Sequence, residues 1–253
     1  MPEIRLCDAH NHLQNYPGEK ETAEALARAS AAGIKLMLCN GARPGDWPKV
    51  LGLAGRDGIV PFFGLHPWFV DKARDGWLGS LEDFLQRAPS GVGEIGLDKA
   101  VEADPGRQEE AFIAQLRLAK KLGRPVSIHC VRAWGRMLEL LKEEQPPAFL
   151  FHAYGGPPEV MKELADLGAW FSFGTGLLDP VREKLHKALR AAPPWRLLLE
   201  TEAPESGSGP GELPGVIQAA AATLGTSPEA LGGLTWRNAE TFLGGLFPAE
   251  LKS

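Results

Sequence analysis

The chain alternates short apolar, β-rich runs with longer amphipathic stretches along most of its length. The short runs have the length and composition of buried strands, and the longer ones repeat apolar residues at helical spacing. Eight predicted strands result: Ile4 to His10, Ile34 to Asn40, Ile59 to Leu65, Val92 to Ile95, Val126 to His129, Phe149 to His152, Trp170 to Phe173 and Leu197 to Glu200. Eight strands with intervening helices predict an α/β fold, a closed (β/α)8 TIM barrel whose active site lies at the carboxyl ends of the strands.

Three of the predicted helices have recognisable ends. One spans Glu21 to Ala32, with Gly33 as its C-cap, and another spans Gln108 to Leu122 before Gly123 stops it. Ser80, followed three residues later by an acid, predicts the N-cap of a short third helix through Gln86.

The length and composition of the chain favour a single domain. The 253 residues match the usual size of a single barrel and contain no linker-like tract, which predicts one domain over residues 1–253. No apolar stretch reaches the roughly 18 to 20 residues of a membrane span, and the first residues lack the pattern of a signal peptide. We therefore expect a cytoplasmic protein without membrane contact, with Cys7, Cys39 and Cys130 as buried free thiols.

The net charge of -5 bears on the choice of substrate. Broad, nonspecific nucleic-acid binding depends on many Lys and Arg residues that displace counterions, and this chain has an acidic balance instead. A strand end or a small phosphate ester needs only a few cations, so a locally basic cleft remains open.

Five of the six histidines fall where predicted strands end, and two glutamates share that placement. Imidazole nitrogen and carboxylate oxygen together suit divalent metals such as zinc or manganese. A lone histidine beside an apolar run is more often structural, and only the joint pattern favours a metal site. The residues are His10, His12, His66, Glu94, His129, His152 and Glu202, while His186 lies in a helical stretch and is expected at the surface.

Strand geometry predicts how these side chains converge. His10 and His12 are two residues apart, so both point to one side of an extended chain and can share one ion. Glu200 and Glu202 likewise share a side on the last strand, which neighbours the first in a closed barrel. Glu94 ends a middle strand and is placed to bridge to a second ion. His129 and His152 would complete that second site.

The motifs that carry these residues resemble a known family. DAHNHL at residues 8–13, GLHP at 64–67, GEIGLD at 93–98, FHAYGG at 151–156 and LLLETEAP at 197–204 look like those of TatD-type metal-dependent hydrolases, deoxyribonucleases of the amidohydrolase superfamily. The resemblance implies one or two divalent ions (zinc, manganese or magnesium) on His10, His12, Glu94, His129, His152 and position 202. It also implies that His66 and Arg132 contact a phosphate or equivalent oxyanion of the substrate.

Three positions depart from the family pattern. Glu202 stands where the family has aspartate, and the added methylene moves the carboxylate by about 1.5 Å. Trp68 replaces the second histidine of the family's GIHPH motif, which places an indole on the rim where it can stack on a flat group. The stretch ESGSGPGELPG after Pro204 carries no Lys or Arg, where family members often have a basic loop.

The expected activity is hydrolysis of a phosphodiester, most simply at the end of a nucleic-acid strand. The expected substrate is therefore a nucleic-acid end or a small phosphate ester. A divalent ion lowers the pKa of bound water toward about 7, and Glu94 and Glu202 are the catalytic carboxylates expected to hold it or take its proton. Asp8, Asp98 and Glu200 are expected to support the ligands. Two alternatives stay open at this point: hydrolysis of a carboxylic ester, amide or lactone, including an aminoacyl-tRNA ester, and a scaffold role with a weakened metal site.

Overall fold

The computed structural model describes residues 5–56, 58–207 and 209–252 and contains one sheet of eight strands. Neighbouring strands are parallel and follow one another in chain order. The strands are β1 (Leu6–Asn11), β2 (Ile34–Asn40), β3 (Ile59–Phe63), β4 (Gly91–Asp98), β5 (Val126–Val131), β6 (Phe149–Phe151), β7 (Ala169–Phe173) and β8 (Leu197–Leu199). The predicted (β/α)8 barrel is thereby confirmed.

Helices follow the strands around the outside of the sheet. Those of the described residues are α1 (Glu19–Ala31), α2 (Trp47–Leu53), α3 (Trp77–Arg87), α4 (Pro105–Leu122), α5 (Trp134–Glu144), α6 (Pro158–Asp166), α7 (Glu183–Ala191), α8 (Leu213–Leu224) and α9 (Pro228–Leu243). In the described part of the chain, no helix combines the length and apolar character needed to cross a membrane.

Backbone hydrogen bonds after β8 join the last strand to the first. The Glu202 N–H donates to the His10 carbonyl at 3.0 Å, and the His12 N–H donates to the Ala203 carbonyl at 2.7 Å. These two bonds lie at the carboxyl ends of both strands. The segment that carries Glu202 is therefore fixed beside His10 and His12.

Several strands begin or end at residues other than the predicted ones because tertiary contacts extend or shorten them. β2 has its predicted ends, and Ile4 of the first predicted strand lies outside the described residues. β4 runs on to Asp98 because Gly96 lets the strand pass its neighbour closely: an added Cβ there would lie 1.9 Å from the His129 carbonyl oxygen.

The predicted cap of the third helix is wrong. α3 begins at Trp77, one turn before the expected start, and Gly76 with φ +83° precedes it. Ser80 lies inside the helix, where its N–H donates to the Gly76 carbonyl at 3.1 Å. The Ser80 pattern thus had the spacing of a cap without its backbone conformation.

Two apolar clusters hold the sheet to its helices. The larger one lies between the strands and the surrounding helices, and the second joins alternate strand residues such as Leu36, Leu38 and Phe62 to Trp236 and Phe242 of α9. Burial of a side chain of this size stabilises the fold by about 1.5–3 kcal/mol. The second cluster thus ties the last helix to the strands.

The three cysteines are free thiols, as predicted. Cys7 and Cys39 are buried, whereas Cys130 is only partly so. His186 is half-buried rather than fully at the surface, with Nδ1 2.8 Å from the Thr223 hydroxyl of α8.

Candidate metal centre

Glu94 lies at the centre of the histidine cluster and is 3% exposed. Its Oε2 atom is 3.3 Å from Nε2 of His10 and 3.3 Å from Nε2 of His12. His10 lies near the end of β1 and His12 directly follows that strand, and their rings approach edge to face. The two imidazoles that strand parity places on one side therefore meet the same carboxylate oxygen.

The other oxygen of Glu94 faces three more imidazoles. Its Oε1 atom is 2.7 Å from Nε2 of His152, 3.0 Å from Nδ1 of His129 and 3.0 Å from Nε2 of His66. One carboxylate thus separates the five histidines into a group of two and a group of three. Burial opposes ionisation of Glu94, but the surrounding imidazoles outweigh it and hold its pKa well below the usual range.

Hydrogen bonds hold the outer ring nitrogens of His10 and His12. His12 donates from Nδ1 to the Asn40 carbonyl at 2.7 Å, because a carbonyl can only accept. Nδ1 of His10 lies 3.0 Å from the Ser127 hydroxyl, and burial lowers the pKa of His10 to about 4. These contacts direct Nε2 of both rings toward Glu94.

Asp98 and Trp68 fix the orientation of His129. Nε2 of His129 lies 3.1 Å from Oδ2 of Asp98, and the Trp68 indole N–H donates to the same oxygen at 2.7 Å. Burial opposes ionisation of Asp98, but hydrogen bonds from His129 and Trp68 outweigh it and lower its pKa to about 2. An ionised Asp98 holds the proton on Nε2 of His129, which leaves Nδ1 free to face Glu94. Trp68 is 52% exposed, so its ring also forms part of the rim.

His66 has the opposite proton arrangement. Its Nδ1 accepts a hydrogen bond from the Trp68 backbone N–H at 3.2 Å, so the neutral ring carries its proton on Nε2. Burial lowers the pKa of His66 to about 4, which favours that neutral form. His66 is therefore a hydrogen-bond donor in the centre, a geometry that suits contact with an oxyanion.

Glu200 supports the His152 side of the cluster. It is fully buried, accepts from the Ala153 N–H at 3.0 Å and from the Ser172 hydroxyl, and lies 3.6 Å from Nδ1 of His152. Nδ1 of His152 has no hydrogen-bond partner within the described residues. The neighbouring carboxylate nevertheless provides a charge that orients this ring.

The sequence predicts that Asp8 supports a ligand imidazole, but its carboxylate contacts other groups. Its carboxylate accepts from the Thr201 N–H at 2.9 Å, from the Thr201 hydroxyl at 2.6 Å and from the Asn11 amide at 3.2 Å. Burial raises the pKa of Asp8 to about 7. Asp8 therefore joins β1 to the end of β8 and acts at the barrel seam.

Three non-glycine residues at strand ends have left-handed backbone conformations. Arg132, Ala153 and Glu202 have φ values of +53°, +43° and +56°, and they follow β5, β6 and β8. Such conformations cost about 1–3 kcal/mol each and concentrate at functional sites. Arg132 and Glu202 line one cavity. Arg132 is exposed, whereas Glu202 is partly buried, and burial raises the pKa of its carboxyl group.

The sequence did not predict the groups that contact the imidazoles on the side away from Glu94. Ser127 and the Asn40 carbonyl contact His10 and His12, and Gln14 donates to the same carbonyl at 2.7 Å. Strand parity offered a signal for one of them, because Ser127 lies two residues before His129 on the same face of β5. The others become neighbours only when the strands close into a barrel.

The donor set fits divalent cations. In the neutral His12 ring Nδ1 donates to a carbonyl, so Nε2 would present a lone pair to Oε2 of Glu94 at 3.3 Å and to Nε2 of His10 at 3.3 Å. Burial opposes protonation of His12, but Glu94 outweighs it and raises the pKa of this ring, so positive charge is favoured here. Facing lone pairs need positive charge between them. Two triads have ligand atoms within 4.8 Å of one another, His10 with His12 and Glu94, and His66 with Glu94 and His129. His152 is the better partner for Glu94 and His129, because Nε2 of His66 carries a proton.

The family model described as TatD related DNase matches residues 7–244. The chain belongs to this family. The 3'-5' ssDNA/RNA exonuclease TatD of Klebsiella pneumoniae is 32% identical over an alignment of 263 residues, which covers 94% of this chain and 98% of that protein. Deoxyribonuclease TATDN3 of Homo sapiens is 27% identical over 221 residues, covering 81% of this chain and 80% of that protein.

A solved TatD-family structure has the same fold over almost its full length. The crystal structure of YjjV, a TatD homologue from Escherichia coli K12, superposes with a TM-score of 0.89 at 26% identity, covering 95% of this chain and 98% of that one. The chain is thus a TatD-family metal-dependent hydrolase. The family resemblance seen in the motifs is confirmed.

Proposed function

We propose that this chain is a metal-dependent phosphodiesterase that cleaves single-stranded nucleic acid from an end, with residues 1–253 forming one catalytic domain. The observation that carries the proposal is the position of Glu94, whose two oxygens face separate groups of imidazoles within 3.3 Å. That arrangement is typical of a carboxylate that bridges two cations. The relatives named as an exonuclease and a deoxyribonuclease support the choice of substrate class.

The residues proposed to hold the ions divide between the two sides of Glu94. One ion is assigned to His10, His12, Glu94 and Glu202, and the other to Glu94, His129 and His152. Four imidazoles favour zinc or manganese over magnesium, which prefers oxygen ligands. Bound divalent ions supply a water of lowered pKa and positive charge that stabilises both oxygens of an in-line displacement.

The protein's own groups then bind and orient the phosphodiester. His66 donates from Nε2 to a nonbridging phosphoryl oxygen, and the exposed Arg132 guanidinium neutralises charge that develops there. Glu202 takes a proton from the attacking water as the new P–O bond forms. The P–O bond to the leaving oxygen breaks, and that oxygen receives the proton that Glu202 took from the water.

The test compares two bond types before and after metal removal. Protein stripped with a chelator and reloaded with zinc or manganese is assayed on single-stranded oligonucleotides and on a panel of carboxylic esters. We expect hydrolysis of the oligonucleotides, almost complete loss on stripping, and recovery on reloading. Turnover of carboxylic esters alone would contradict the phosphodiesterase proposal, and activity that survives stripping would contradict the metal-dependent one.

A further inference from the structure

The two sides of Glu94 are supported by different kinds of contact. On the side of His10 and His12, both outer ring nitrogens meet a buried group. Nδ1 of His12 donates to the Asn40 carbonyl at 2.7 Å, and Nδ1 of His10 lies 3.0 Å from the Ser127 hydroxyl. Asn40 and Ser127 are at most 1% exposed and belong to β2 and β5. Because groups buried within strands have little freedom to turn away, these two imidazoles are rigidly held.

The other side of Glu94 has fewer direct supports. Nδ1 of His152 has no hydrogen-bond partner within the described residues, and Oε1 of Glu200 is 3.6 Å away. Stacking on the His10 ring, at 3.9 Å between ring centroids, limits the tilt of His152 but leaves this nitrogen without a bond. The hydrogen-bonded support of an outer ring nitrogen on this side therefore comes through His129.

His129 is held through Asp98, whose two oxygens have separate partners. Oδ1 accepts from the Ala100 N–H at 2.7 Å, and Oδ2 lies 3.1 Å from Nε2 of His129. The Trp68 indole N–H donates to the same Oδ2 atom at 2.7 Å. Without the indole N–H, His129 would be the sole partner of Oδ2 among the described residues. The indole thus fixes the oxygen that orients the His129 ring.

Trp68 is the exposed end of this series of contacts. It lies in the 3₁₀ helix Pro67–Lys72 after β3, is 52% exposed, and meets the His66 ring edge to face with 5.0 Å between centroids. Holding an exposed side chain in one rotamer costs conformational entropy. The support of His129 is therefore weaker than a support built from buried groups.

Two cations are assigned to this centre, and the second is the one on Glu94, His129 and His152. We infer that the second cation binds more weakly than the first, and that Trp68 sets its affinity as a positioning residue that acts through Asp98. The inference rests on the two-cation centre of the proposed function. Trp68 stands where the family motif has histidine, so this dependence concerns a departure of the chain from its family.

The test is a metal titration that needs no substrate. Full-length protein stripped of metal is titrated with manganese, and free manganese is measured by electron paramagnetic resonance. Wild type should bind two ions in two steps of unequal affinity. Crystals grown with one equivalent of manganese should show that ion beside His10 and His12.

Trp68→Phe keeps an aromatic ring and removes the N–H. Loss of a group that orients a ligand imidazole typically costs ten- to a hundredfold in metal affinity. We therefore expect the dissociation constant of the second step to rise by about ten- to a hundredfold and that of the first step to stay unchanged. The manganese concentration that gives half-maximal hydrolysis should rise by the same factor.

Asp98→Asn tests whether Trp68 acts through the carboxylate. This variant should also weaken only the second step. If the indole acts through Asp98, the double variant Trp68→Phe/Asp98→Asn should lose no more affinity than Asp98→Asn alone. Losses that add in the double variant would overturn the assigned route.

The matched control is Trp195→Phe, which alters an exposed tryptophan next to the start of β8, at the opposite end of the barrel. It should keep both binding steps. An unchanged second step in Trp68→Phe, or an equal loss at both steps, would overturn the role of Trp68, and two equal steps in wild type would overturn the difference between the cations. If wild type binds two ions in unequal steps but cleaves no oligonucleotide, the phosphodiesterase proposal fails and the assignment of Trp68 is still decided by the titration.

Discussion

Replacing Glu94 with alanine should abolish hydrolysis and leave the purified protein with little bound metal. Its carboxylate contacts all five clustered histidines, so the substitution removes the shared negative charge from both sides of the site at once. Steady-state rates and elemental analysis of Glu94→Ala measure the two effects separately.

The matched control for this substitution is Glu102→Ala, which removes an exposed carboxylate just beyond the end of β4. We expect Glu102→Ala to keep wild-type activity and metal content. Full metal occupancy in Glu94→Ala, in protein that remains folded by circular dichroism, would show that Glu94 is not the bridging ligand.

Glu202→Gln should lose nearly all turnover, whereas Glu202→Asp should match or exceed wild type. The amide can neither take a proton nor supply charge to an ion, and loss of a general acid or base typically costs about 10²–10⁴ in rate. Aspartate restores the family's shorter side chain, and a displacement of about 1 Å in a reacting group can cost on the order of a hundredfold. The left-handed backbone at position 202 also tolerates aspartate well.

Turnover and metal content of both variants are compared with those of Glu205→Gln. Glu205 is exposed and accepts from the Asn15 amide at 2.7 Å, a bond that glutamine preserves. Retained turnover in Glu202→Gln would exclude both roles for this carboxylate and would move the assignment to Glu200.

Strand order and the approximate position of each strand were predictable because apolar runs report burial directly. The observed ends of β2 are the predicted ones. The carboxyl end of β4 was placed too early because the glycine-rich motif GVGEIGLD has low strand propensity. The extension of β4 depends on close backbone contact between Gly96 and His129, which appears only when the strands pair. Local cues also failed at α3, where Ser80 has the spacing of a cap and lies inside the helix.

The convergence of the histidines was predictable for a different reason. In a parallel barrel all strand ends meet at one face, so residues that are distant in sequence approach one another without further information. The roles of the neighbouring aspartates depend on how the strands pair when the barrel closes. Asp8 contacts Thr201 between the last strand and the first, whereas Asp98 contacts His129 of the adjacent strand. The sequence distinguishes neither case, since both aspartates lie close to a motif histidine or glutamate.

Anomalous diffraction from crystals of the zinc- or manganese-loaded protein shows whether Glu94 bridges two divalent cations held by the strand-end histidines. We expect one peak about 2.0–2.2 Å from Nε2 of His10 and His12 and a second at similar distance from Nδ1 of His129 and Nε2 of His152, with a Glu94 oxygen near each. Metal bound elsewhere, or no peak at this cluster at saturating metal, would contradict this arrangement.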